Sequence, residues 1–135
     1  MTIAVDFDGT IVEHKYPSIG KERPFATETL RQLSQDGHRL ILWTVRSGEL
    51  LDEAVEWCAK RGVDFYAVNS NHPADYLFKN DPGASPKIIA DVFIDDSNLG
   101  GIPDWGEIYS IITEKQQNRE KKRQASHRKR GLFHR

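Results

Sequence analysis

The chain has 135 residues and balances 19 Lys and Arg against 20 Asp and Glu, a formal net charge of −1. This length suits one compact domain that can bury a core without a disulfide or zinc staple, and it excludes a second fold of similar size. With 38% hydrophobic and 29% charged residues and one cysteine, Cys58, the composition excludes a disordered chain, a disulfide framework and a Cys-rich metal site.

Ile3 to Phe7 reads as a short buried strand running into D6-F-D-G-T10. Residues 11–25, with Pro17, Gly20 and Pro24, read as an irregular excursion. Apolar spacing through Leu30 and Leu33 predicts a helix from Phe25 to Gly37. His38 to Trp43 is expected as a second buried strand, with Trp43 in the core, before polarity returns at Thr44-Val45-Arg46-Ser47-Gly48. A second amphipathic helix is expected over Glu49 to Arg61, with Leu50, Leu51, Ala54, Val55 and Cys58 inward. Val63 to Val68 is a third strand candidate, and residues 69–86, with three prolines, form a long loop of the kind that often carries function. Ile88 to Ile94 resumes as a strand ending at Asp95-Asp96, and Trp105 to about Thr113 starts another strand or the terminal helix.

Charge is distributed unevenly. Residues 1–113 hold 10 basic and 18 acidic residues, a net of −8, whereas residues 114–135 hold 9 and 2, a net of +7. The expected division is a folded domain over 1–113 and a basic helical or flexible tail over 114–135. Clustered Lys and Arg in that tail suit nucleic acid or an acidic partner, or simply a solvated helix that balances the acidic body. No apolar run spans a membrane and MTIAVDFDGT lacks a charged-then-apolar signal, so no membrane partner and a cytoplasmic address are expected.

Alternating strands and helices predict an α/β fold, a Rossmann-like three-layer sandwich around a mainly parallel sheet. In such sheets ligands bind beyond the carboxyl ends of the strands. Asp6 and Asp8, Thr44, and Asp95 and Asp96 all follow predicted strands and so converge on one edge. Carboxylates crowded there need a cation, and hard oxygens without His or Cys suit Mg²⁺. A carboxylate beside such a metal is a competent nucleophile for phosphoryl groups. The Gly9 amide and the Thr44 hydroxyl and amide are candidate donors to phosphate oxygens, and Lys87 a candidate counter-charge. Arg46 reads equally as a surface or a substrate-facing residue, and Ser47 as a substrate candidate or a helix cap.

D6-F-D-G-T10, an apolar strand ending in Thr44, Lys87, and F-I-D95-D96 resemble, in order, the four motifs of the haloacid dehalogenase (HAD) superfamily. K87-I-I-A-D-V-F-I-D-D96 resembles a small capless group of HAD-type hydrolases. The resemblance implies a Mg²⁺-dependent phosphatase in which Asp6 is the nucleophile and Asp8 the general acid and base. It implies that Thr44 and Lys87 hold the phosphoryl group. It also implies Mg²⁺ on Asp6, the main-chain carbonyl of Asp8, Asp96 directly and Asp95 through water. Lys79 competes with Lys87 for the third motif, and Gly100 and Gly101 stand where a further acidic residue is common. The gaps 11–43 and 45–86 are too short for a cap domain, which implies an open site for a phosphorylated small molecule or an exposed macromolecular phosphate, with oligomerisation as a second route to closure. The rival expectations are a nucleic-acid-associated module and a phospho-receiver domain.

Overall fold

Ile3-Ala-Val5 is an unbroken apolar run, the pattern of a strand that is covered on both faces and paired along both edges. The computed structural model, which describes residues 1–73 and 88–133 (the last four by backbone alone), places this strand, β1 (Thr2–Val5), at the centre of the sheet. β2 (Arg39–Leu42) pairs on one side and β4 (Val92–Ile94) on the other, while β3 (Ala67–Val68) extends the sheet beyond β2. All the pairings are parallel, and Val5 lies level with both Leu42 and Ile94. The carboxyl ends of three strands therefore open at the same height.

Among the described residues three helices accompany the sheet: α1 (Ala26–Gln35), α2 (Gly48–Lys60) and α3 (Trp105–Phe133). Ile3, Val5, Leu40, Leu42 and Ile94 form one buried cluster with Leu30 and Leu33 of α1, Leu51 and Cys58 of α2, and Trp105 and Ile112 of α3. Every second strand residue joins it, as the two-residue repeat of a strand requires. The result is a small Rossmann-like α/β fold with no cap domain among the described residues. Strands β1, β2 and β3 are laid down in one direction, and β4 returns to the far side of β1. That reversal opens a crevice between the ends of β1 and β4.

Several expected elements are shorter, for identifiable reasons. The amide of Val63 donates to the Cys58 carbonyl, so Val63 belongs to the exit of α2, and the ladder begins only where Tyr66 donates to Leu40. The backbone of Ile89 exchanges both of its hydrogen bonds with the Asn71 side chain, which withdraws it from the β4 ladder. Trp43 is not a core residue. It lies just beyond the last paired residue of β2, is 38% exposed, and meets Phe93 edge-on at 5.3 Å. Cys58 is buried as expected, and burial pushes its thiol up to about 12.

The segment after the Gly-rich stretch is helical. Asp104 accepts from the Glu107 amide at 2.9 Å, a side-chain cap on the entry of α3. Trp105 inserts its ring into the core and donates through Nε1 to the Thr10 carbonyl at 3.1 Å. Past Thr113 the same helix continues, and residues 117–129 are all exposed. Arg119 pairs with Asp91 at 3.1 Å on the surface. Among the described residues no helix is long and apolar enough to cross a membrane.

Replacing the exposed Lys121, Lys122 and Arg128 by Ala should therefore shift the urea-unfolding free energy by less than about 1 kcal/mol, because these solvated side chains bury nothing. Leu33→Ala, which empties a buried site in the cluster, should cost about 2–5 kcal/mol in the same measurement.

Candidate functional site

The turn after β1 is built by the residues that carry its chemistry. Gly9 adopts φ +84, and a β-carbon there would stand 2.1 Å from Asp96 Oδ2. Only glycine lets the β1 turn and the Asp96 carboxylate approach so closely. Thr10 then links the two strand ends: its hydroxyl donates to Asp6 Oδ2 and accepts from the Asp96 amide, each at 3.2 Å. The Asp6 amide in turn donates to the Ile94 carbonyl at 2.9 Å.

These contacts gather one carboxylate oxygen from each of Asp6, Asp95 and Asp96 within 4.8 Å of one another. Burial, and then the neighbouring charges of Asp95 and Asp96, raise the Asp6 carboxyl from its ordinary 3.8 to about 7 against the opposing hydrogen bonds from Phe7 and Thr10. Among the described residues no Lys or Arg is paired with Asp6. Three hard oxygens in this arrangement fit a small divalent cation, whose charge would relieve the repulsion.

Asp8 stands apart from that trio. Both of its oxygens accept from Arg46, Nε to Oδ2 and Nη2 to Oδ1, each at 2.8 Å. The Arg46 side chain is completely buried, and its remaining donors reach the carbonyls of Pro17, Ser18 and Leu50. Hydrogen bonding to Asp8 raises the guanidinium above its ordinary value. The expectation of a surface or substrate-facing Arg46 is thus corrected: every side of its fork already has a protein partner. The Asp8 side chain is likewise no part of the carboxylate trio.

Two expected phosphate donors are also committed elsewhere. The Gly9 amide donates to the Val12 carbonyl at 2.8 Å, closing the turn. The Thr44 amide donates to Asn69 Oδ1 at 2.7 Å. The Thr44 hydroxyl accepts from the Arg46 amide at 3.1 Å, which leaves its own proton free to donate. Ser47 is exposed at the N-cap of α2 and makes no capping side-chain bond. Lys87 and Lys79 lie outside the described residues.

A cavity of about 460 Å³ joins these groups, lined by Asp6, Asp8, Asp95, Asp96 and Thr44 together with His14, Trp43, Val45 and Ser97. Sequence reasoning assigned no role to Thr10, although it lies inside D6-F-D-G-T10, and it overlooked Asn69. The signal at Asn69 is its type and place: directly after a strand, in the left-handed conformation with φ 54 that asparagine tolerates.

Fold and site together define a small Rossmann-like α/β protein with a carboxylate centre at the reversal of strand order. No family model and no curated protein matches the chain. A solved structure does, described as that of a conserved protein coded by a locus from Bacteroides thetaiotaomicron, at 64% identity with a TM-score of 0.77. The match covers 85% of this chain and 91% of that one. The chain belongs to the family of that conserved Bacteroides protein.

Two outcomes follow from the site electrostatics. Arg46→Met strands the buried Asp8 carboxylate and should lower stability by about 3–5 kcal/mol in urea unfolding. In EDTA, Asp6 binds its proton more tightly in the folded state than in the unfolded chain, so its contribution is full below pH about 3.8 and is lost as pH rises through about 7. Asp6→Asn should accordingly raise the melting temperature at pH 8 and lose that advantage at pH 4, as differential scanning calorimetry would register.

Proposed function

We propose that this chain is a capless phosphohydrolase of the HAD type, acting on a phosphomonoester through an aspartyl-phosphate intermediate. The observation that carries the reading is the gathering of Asp6, Asp95 and Asp96 within 4.8 Å at the ends of β1 and β4, where the sheet topology opens a crevice. The order D6-F-D-G-T10, Thr44 and D95-D96 along the chain supports the same reading.

The donor set fits Mg²⁺. Asp6, Asp95 and Asp96 would hold it, and it would supply the positive charge that lets an anionic phosphate approach a carboxylate. The Asp6 carboxylate attacks phosphorus, forming an acyl phosphate as the ester P–O bond breaks. Asp8 gives a proton to the departing oxygen, then takes one from the water that attacks the acyl phosphate and frees Asp6. Arg46 fixes the Asp8 carboxylate in one orientation through two 2.8 Å bonds. An oxygen that carries a proton is a poorer acceptor, so the acid half of this role loosens one of those bonds. The Thr44 hydroxyl, with a proton free, donates to a phosphoryl oxygen.

Release of phosphate from p-nitrophenyl phosphate should require Mg²⁺, cease in EDTA, and fall at least about a thousandfold in Asp6→Asn. Asp8→Asn should slow hydrolysis and accumulate a hydroxylamine-sensitive phosphoenzyme when labelled substrate is used. Normal turnover by Asp6→Asn would sink the covalent mechanism. Mg²⁺ should also raise the melting temperature more at pH 8 than at pH 5, since the proton held by Asp6 below about pH 7 competes with the metal.

A further inference from the structure

The cavity holds two surfaces of opposite character. One is the carboxylate centre; the other is formed by Trp43 and Val45, which are 38% and 90% exposed and line the same space. Trp43 is not loose. Its amide donates to the Val5 carbonyl at 2.8 Å, and its ring is braced edge-on against Phe93 at 71°. A braced indole with part of its surface open to a cavity is a stacking platform that loses little freedom when a flat group covers it.

We propose that the site takes phosphate esters whose leaving group is flat and apolar, seated on Trp43 and Val45 while the phosphate lies at the carboxylates. This specificity rests on the phosphohydrolase reading above. It makes Trp43 a specificity-determining residue rather than part of the chemistry.

Equilibrium binding separates the two ideas. With Mg²⁺ present, calorimetric titration of the full chain should show phenylphosphonate binding about tenfold more tightly than methylphosphonate. Trp43→Ala should erase that difference and leave the methylphosphonate Kd unchanged, whereas Trp43→Phe should keep most of it and confirm an intact fold by circular dichroism. Equal affinity for the two simple phosphonates, or an advantage that survives Trp43→Ala, overturns the platform while leaving the phosphoryl site standing. Failure of methylphosphonate itself to bind with Mg²⁺ overturns the phosphoryl reading, and this inference with it.

Discussion

The pair of Arg46 and Asp8 holds the site together. Its two 2.8 Å bonds join the turn after β1 to the segment between β2 and α2, and the other donors of Arg46 draw in the Pro17 and Ser18 carbonyls of the excursion and Leu50 of α2. A guanidinium this deeply buried is tolerable only because its fork is matched by acceptors in the right plane. Such a pair adds little to stability compared with an apolar substitute, but it allows few alternative arrangements. Every contact it makes is directional, so three separate stretches of the chain, around Asp8, Pro17-Ser18 and Arg46-Leu50, are locked in one register. Phe7 lies under the guanidinium at 5.1 Å and Tyr16 at 5.2 Å, so the charge is also walled by aromatic faces.

Thr10 does for the carboxylates what Arg46 does for Asp8. Its hydroxyl lies between Asp6 and the Asp96 amide, and its carbonyl accepts from the buried Trp105 indole. The first turn of α3 is thereby tied to the turn after β1, and the two strand ends cannot separate to relieve their repulsion. Gly9 contributes by having no side chain, since any other residue would push Asp96 outward. The crowding of the carboxylates is therefore imposed by the fold, at positions where loosening would disturb the core.

Much of this is legible in the sequence. Apolar runs that end abruptly in aspartates mark strand ends, and alternating elements order those ends along one edge, so the amino-acid order alone places Asp6, Asp8, Thr44, Asp95 and Asp96 together. What escapes depends on partners. An arginine reads as surface because its cost of burial is high, and nothing local to Arg46 announces a matching carboxylate 38 positions upstream. Trp43 reads as core because its run is apolar, yet the ladder stops one residue earlier. The amides of Gly9 and Thr44 read as free donors because backbone hydrogen bonds of irregular segments have no sequence code, and Val12 and Asn69 take them. The terminal segment is ambiguous because its apolar residues are few after Ile112, and helix formation past that point relies on local propensity and charge spacing rather than burial.

The two aspartates of D6-F-D8 end in contrasting surroundings although one residue separates them. Asp6 faces two further carboxylates, and burial drives its proton affinity up to about 7. Asp8 receives two hydrogen bonds from a cation that the protein itself supplies. Paired carboxylates that share one environment compete for a single role, whereas paired carboxylates in contrasting environments can divide two roles between them. The division here arises from which partner each side chain meets at the end of one short strand. Asp6 is left with a negative surplus that an external cation can answer, and Asp8 with an internal counter-charge that fixes its direction. On the phosphohydrolase reading, Asp6 becomes the ionised nucleophile at neutral pH once a cation answers that surplus, and the acid half of the Asp8 role works against its Arg46 pair.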